Sequence, residues 1–167
     1  MMLNKKNNII LIIIFFIILL SIISALIIEY VLDHKPCGLC LYERIPYFLS
    51  VLLMIKIFFF KKYEKITLLI LFLIFMISTL LAFYHFGIEQ SFFDESFVCN
   101  VESQLKILSK ESLLKELNKN IVSCKDVTFR ILGLSLAAIN TILSVVLSII
   151  FLKLFFNYGS SSTSQYK

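Results

Sequence analysis

Apolar residues in this chain do not alternate with polar ones; they run in blocks. Ile9–Ile28 is a twenty-residue block with two serines and no charge. Ile66–Phe86 and Ile131–Phe156 are blocks of similar length, interrupted by one histidine and one lysine respectively. A helix rises about 1.5 Å per residue and the hydrocarbon core of a bilayer is about 30 Å thick, so roughly twenty apolar residues make one crossing. A further block, Leu39–Phe60, carries Glu43 and Arg44 near its start and Lys56 near its end. Its uncharged stretch, Ile45–Ile55, is too short to cross alone. It crosses if those charges reach the interface on their long stems. The pattern therefore predicts an all-α membrane protein, a bundle of four transmembrane helices in a single domain spanning residues 1–167, with connections at 29–38 and 87–130.

Two stretches need separate treatment. Lys5 and Lys6 precede the first block and Ser24–Ala25 lie near its end, the outline of a secretory signal. A signal's apolar region is about 7–15 residues, so this longer block is read as an uncleaved first span. The 87–130 connection is long enough to need structure of its own. Within it Val101, Leu105, Leu108, Leu114, Leu117 and Ile121 recur at spacings near three and four. That spacing predicts an amphipathic helix, lying on the membrane surface or against the bundle end. No internal repeat is visible, and the Ser-rich tail Gly159–Ser164 reads as a flexible end.

Composition agrees: 59% of the residues are hydrophobic and 16% charged. Soluble domains run nearer 45–50% and about 25%. A soluble globular protein, a disordered chain and a nucleic-acid binder are excluded. The net charge of +5 matters less than its placement. Lys5 and Lys6 precede the first span, Lys61, Lys62 and Lys65 separate the second from the third, and Lys153 and Lys167 lie at the end of the fourth or beyond it. The 29–38 connection has Lys35 against Glu29 and Asp33, and the 87–130 connection has six basic and seven acidic residues. The positive-inside rule then puts both termini and the middle loop in the cytoplasm, with the other two connections outside.

All four cysteines, Cys37, Cys40, Cys99 and Cys124, fall on that outer side. An even number of thiols in an oxidising compartment points to disulfides, with three pairings possible. The local pairing is Cys37–Cys40, which would leave Cys99–Cys124 across the large loop. Structural staples are one reading: closing a loop of that size contributes about 3 kcal/mol in the chain-entropy model. A ring as small as Cys37–Cys40 restrains little chain. A four-cysteine zinc site is a second reading, weakly supported by one C-x-x-C and two scattered cysteines. Haem attachment fails because Leu41 follows Cys40 where histidine is needed. Redox-active thiols are a third reading, since C-x-x-C spacing favours a lowered thiol pKa and easy exchange. Pro36 can open a helix just before the pair, which would set Cys40 near its positive end with Arg44 at i+4. Both features stabilise a thiolate. Pro46 could break that turn from the rest of the span. Arg44 is otherwise an interfacial anchor.

The stretch Lys35-Pro36-Cys37-Gly38-Leu39-Cys40-Leu41-Tyr42-Glu43-Arg44 resembles the signature of the DsbB family of membrane disulfide-generating proteins. The resemblance continues at Ala82-Phe83-Tyr84-His85-Phe86-Gly87-Ile88-Glu89 and at Cys124 with Leu132-Gly133-Leu134-Ser135-Leu136-Ala137, and so covers nearly the whole chain. Gly38 inside the C-x-x-C and Glu43, where many relatives have Gln, are its departures. The resemblance implies an enzyme, a protein-disulfide/quinone oxidoreductase of the bacterial inner membrane with its cysteines facing the periplasm. A reduced DsbA-like partner would attack the Cys99–Cys124 disulfide, at Cys99. Electrons would pass to Cys37–Cys40, and Cys40 would deliver them to a quinone (ubiquinone or menaquinone) beside Arg44. His85 is a further candidate for the quinone site. His85 and Glu89 share a face if the third span continues that far; they read either as a proton path to reduced quinone or as interfacial residues. Asn140, deep in the fourth span, reads as inter-helix glue. Two other readings stay open: a tetraspan structural or metal-binding protein, and a thiol–quinone protein like vitamin K epoxide reductase, where the C-x-x-C is expected late in the bundle.

Overall fold

A computed structural model describes residues 5–60, 63–94, 99, 123–125, 130–131 and 133–160. Four long helices dominate: α1 (Lys5–Tyr30), α2 (Gly38–Phe59), α3 (Glu64–Glu89) and α4 (Leu136–Ser160). All four are long and apolar enough to cross a membrane, over Asn7–Tyr30, Gly38–Phe59, Glu64–Glu89 and Leu136–Tyr158. Helices are the form such segments must take, because a lipid-facing backbone has no water to satisfy its N–H and C=O groups. The chain is thus a multi-pass membrane protein. The amphipathic helix expected over 101–121 lies outside the described residues.

Several boundaries differ from the sequence expectation, and two of them have a clear local reason. The fourth span was expected from Ile131, but a two-strand hairpin comes first, with β1 (Arg130–Ile131) antiparallel to β2 (Leu134–Ser135). Its two-residue turn needs a left-handed residue, supplied by Gly133 at φ +85°. No atom lies within 4 Å of where a Cβ would sit there, so the backbone angle and not space calls for glycine. Ser135 then caps α4, its Oγ accepting from the Ala138 amide at 3.2 Å. Apolarity alone cannot see such a stop and start. At the other end, α4 runs on to Ser160, so the first two residues of the expected flexible tail are helical.

Pro46 does not break α2, which continues through it to Phe59. The carbonyl it leaves unbonded is that of Tyr42, in the second turn from the helix start, and such losses are tolerated near the end of a span. The third span reaches Glu89, three residues past the expected Phe86. It ends where Phe92 and Phe93 donate back to the Gly87 carbonyl at 2.8 and 3.3 Å. A Cβ on Gly87 would collide with the Phe93 ring, which also stacks on Tyr84.

The core lies between α3 and α4, with α2 and then α1 packed on them. On α3 the buried positions Leu68, Leu71, Phe75, Ser78, Ala82 and His85 alternate steps of three and four, tracing one seam. Phe75 stacks on Phe151 of α4 with centroids 5.5 Å apart, and Tyr47 of α2 meets Phe75 edge-on at 5.6 Å. Small residues allow close approach: Ala82, Ala137, Ser78 and Ser144 are all buried. The Ser78–Ser144 hydrogen bond at 3.1 Å contributes only about 0.6 kcal/mol by the average for such bonds in membranes, so packing of the aromatic stack outweighs it.

Candidate functional site

The four cysteines gather at one end of the bundle. Cys37, Leu39, Ile88, Cys99 and Cys124 form a buried cluster, with Cys40, Leu81 and Tyr84 against it. Cys99 and Cys124 are joined in a disulfide across 25 positions of sequence, Cα atoms 5.3 Å apart. Two of the cysteines are thereby removed from the four-cysteine zinc set. Cys37 and Cys40 are free thiols, their sulfurs 2.8 Å apart.

Local sequence explains how that pair is presented. Pro36 and an extended Cys37 (φ −71°, ψ 171°) deliver the chain to α2, and Cys37 is its N-cap. The Cys40 amide donates to Cys37 Sγ at 3.3 Å. The positive end of the helix therefore serves Cys37, where the sequence suggested Cys40. Two other groups converge on the same sulfur: Cys40 Sγ and, at 3.5 Å, Nε2 of His85. The Cys37 thiol is held well below its ordinary pKa by the Cys40 hydrogen bond first and His85 next, against burial, which pushes the other way.

His85 is itself held. Its Nδ1 donates to Glu43 Oε1 at 2.7 Å, and both side chains are almost fully buried. Asn140 Nδ2 donates to the other carboxylate oxygen at 2.7 Å, and the Tyr47 hydroxyl donates to Asn140 Oδ1. Tyr47 also meets Ser144 at 3.3 Å. A continuous polar path thus runs from Cys37 through His85, Glu43, Asn140 and Tyr47 to Ser144, crossing three helices in an apolar core. The expectation that Glu43 snorkels to the interface is corrected here: it is 7% exposed, and its partners from α3 and α4 make burial tolerable.

Beside this path is a cavity of about 370 Å³. Cys40, Arg44, His85 and Glu89 line it, with Leu20, Ile28 and Leu143 among its apolar walls. Arg44 donates to Glu29 of α1. Glu89 is on the His85 face of α3, as the i, i+4 spacing required, and its buried Oε2 has no hydrogen-bond partner among the described residues.

Most of the residues singled out from sequence therefore converge: Cys37, Cys40, Arg44 and His85 share the cavity, and Cys124 also borders it. Glu43, Tyr47 and Glu29 were missed as site residues, and Asn140 proves to be a site neighbour as well as glue. A signal existed for two of them. Cys40, Glu43 and Tyr47 recur at i, i+3 and i+7, one helical face with a carboxylate in the middle of it.

The family model for "Disulfide bond formation protein DsbB" matches residues 7–154. An uncharacterized protein of Rickettsia prowazekii (strain Madrid E) is 30% identical over 146 residues, which cover 85% of this chain and 83% of that protein. No solved structure matches.

Proposed function

The chain belongs to the DsbB family, whose role is disulfide bond formation, and from that premise we propose that it oxidises a DsbA-like thiol protein and passes the electrons to membrane quinone. The observation that carries this reading is the placement of Cys37 and Cys40, packed in one cluster with the Cys99–Cys124 disulfide and lining an apolar cavity that Arg44 and His85 also line. The cavity suits a quinone ring: its walls are mostly apolar, and the Arg44 guanidinium supplies donors for a carbonyl oxygen. A bound quinone supplies a sink for two electrons and two protons.

The residues of the chain divide the work. A partner thiolate attacks Cys99 Sγ, breaking the Cys99–Cys124 bond and leaving Cys124 as thiolate; the partner's second thiol then attacks the mixed disulfide, releasing the oxidised partner and leaving Cys99 reduced as well. Exchange with a Cys37–Cys40 disulfide restores Cys99–Cys124 and leaves Cys37 and Cys40 reduced, the arrangement seen here. Re-forming Cys37–Cys40 then releases two electrons and two protons. His85 Nε2 is placed to take the proton of Cys37, and the Glu43 carboxylate on Nδ1 holds the ring and stabilises the imidazolium that results. Arg44 holds positive charge at the cavity wall, which favours electron density on the acceptor.

Charge placement along the chain supports the inner bacterial membrane as the setting, with the lysine-rich connections cytoplasmic and the cysteine end periplasmic. The deciding experiment supplies purified protein with a reduced DsbA-like thiol and a soluble quinone. One quinol should appear per disulfide made in the partner. Exchange at Cys99–Cys124 with no quinol formed would sink the quinone half of the proposal.

A further inference from the structure

Cys37 Sγ, Cys40 Sγ and His85 Nε2 all lie within 4.8 Å of one another. Two sulfurs and one imidazole nitrogen form a donor set for a soft or borderline cation, whereas magnesium and calcium take oxygen. Zinc–sulfur bonds of about 2.3 Å and zinc–nitrogen bonds of about 2.0 Å place tetrahedral donors roughly 3.5–3.8 Å apart. The Cys37–His85 separation of 3.5 Å already meets that spacing. The two sulfurs, at 2.8 Å, must part by about 1 Å, within reach of a small turn of the Cys40 side chain.

The surroundings complete the case. A metal-binding histidine ordinarily donates its other N–H to a carboxylate, which fixes the tautomer and raises the basicity of the ligating nitrogen. Glu43 makes that contact at 2.7 Å, and Asn140 holds Glu43 in turn. Two thiolates cancel the charge of a divalent ion, so the ion and its sulfur ligands add no net charge beside the Glu43 carboxylate. The fourth coordination position is left to the adjoining cavity and a water or small anion.

We propose that, when reduced, Cys37 and Cys40 join His85 to bind one zinc-group divalent cation, with Glu43 orienting His85. Binding releases the two thiol protons and changes no oxidation state. Oxidation to the Cys37–Cys40 disulfide consumes both sulfur ligands and expels the ion, so the site exists in one redox state only. Metal binding rests on the geometry alone. Its consequence rests on the function proposed above: a bound ion ties up both thiols and halts electron transfer to quinone.

The test uses the full chain in detergent, reduced with a phosphine, in two forms: wild type, and Cys99→Ser/Cys124→Ser, which keeps only the two thiols in question. Cadmium is titrated while the thiolate-to-cadmium absorption is followed, and zinc affinity is measured against a chromophoric chelator. One ion per chain is expected in the double variant, with no binding after Cys37–Cys40 is oxidised. His85→Ala should weaken zinc binding at least tenfold, and Glu43→Gln about tenfold with the cadmium–thiolate absorption retained. Unchanged affinity in His85→Ala would reduce the site to an ordinary dithiol and overturn the proposal. So would binding that survives Cys37→Ser, or wild type and double variant alike taking up no ion. Zinc bound at one per chain by a protein that fails to reduce quinone would leave the metal site standing and overturn only the functional reading. Quinone reduction unaffected at full zinc occupancy would refute the inhibition.

Discussion

Arg44, in the second turn of α2, donates to the carboxylate of Glu29, in the last turn of α1. Each side chain is about one-fifth exposed, so the pair sits at the rim of the site. Glu29 lies at the negative end of its helix, where a carboxylate is unfavourable without a counter-charge, and Arg44 supplies one. The same contact fixes the guanidinium at the cavity wall and offsets part of its charge. The two effects separate by substitution. Arg44→Met should lower quinone reduction about tenfold, equivalent to one pKa unit of lost electrostatic support, while exchange between Cys99 and the partner continues. Arg44→Lys keeps the charge without the planar fork, and partial activity should survive. Glu29→Gln keeps an acceptor and removes the counter-charge. It should change the quinone KM about threefold, less than the full unit because solvent screens the pair. In the Arg44→Met background Glu29→Gln should do nothing, and an undiminished effect there would show that Glu29 does not act through Arg44.

The His85–Glu43 pair is buried, and breaking it should be costly in another way. His85→Ala leaves the Glu43 carboxylate in an apolar core with Asn140 still donating to it, and a loss of about 3 kcal/mol is expected. Glu43→Gln retains hydrogen bonding and removes the charge, so it should cost less. Thermal unfolding in detergent ranks the two. Both variants should also slow alkylation of Cys37, which loses a donor or the group that holds it. Equal stability with unchanged Cys37 reactivity would mean that the path from Cys37 to Asn140 is incidental.

The four spans were legible because a bilayer imposes one rule on every crossing segment, and Ile9–Ile28 or Ile66–Phe86 satisfies it by composition alone. The ends were less so. Gly133 and Ser135 stop an apolar run through a backbone angle and a cap, neither of which changes hydropathy. The thiols, Arg44 and His85 were legible because few residue types carry their chemistry. Glu43 was not: a carboxylate near a span end has an adequate explanation in snorkelling, and only the approach of α3 and α4 shows His85 and Asn140 meeting it. Glu29 was hidden for the same reason, its partner being fifteen residues away on another helix.

Gly87 offers a test of packing at the end of α3. A methyl group there would strike the Phe93 ring, which folds back over the helix end. Gly87→Ala should destabilise the protein by about 1–3 kcal/mol through overpacking, despite the better helix propensity of alanine. Adding Phe93→Leu should recover most of that loss. A stabilising Gly87→Ala would show that the ring moves aside freely.

The placement of the lysines predicts the orientation in the membrane. A membrane-impermeant thiol reagent applied to intact spheroplasts after reduction should label Cys99 and Cys124. Labelling that appears only once the membrane is opened would reverse the topology and remove the oxidising compartment on which the disulfide argument depends.

The order of the relay turns on which sulfur meets the partner. Cys99, Cys124 and Cys37 share one buried cluster, and Cys99–Cys124 is its disulfide, the electrophile that a partner thiolate needs. A soluble partner approaching from outside should reach the pair carried by the long 87–130 connection before it reaches a sulfur capped into α2 and held by His85. Attack on Cys99 frees Cys124, which passes the exchange inward; re-attack by Cys124 on Cys99 instead displaces the partner again. With Cys124→Ser, Cys99 is a free thiol; given the oxidised DsbA-like partner it should attack the partner's disulfide, and with no Cys124 to displace the partner a mixed disulfide should accumulate and be visible on non-reducing gels. The trapped species should persist when Cys37 is also replaced by serine, because Cys37 acts after the partner has bound. A mixed disulfide that vanishes with Cys37→Ser would put the partner on the C-x-x-C pair and invert the sequence of electron transfer.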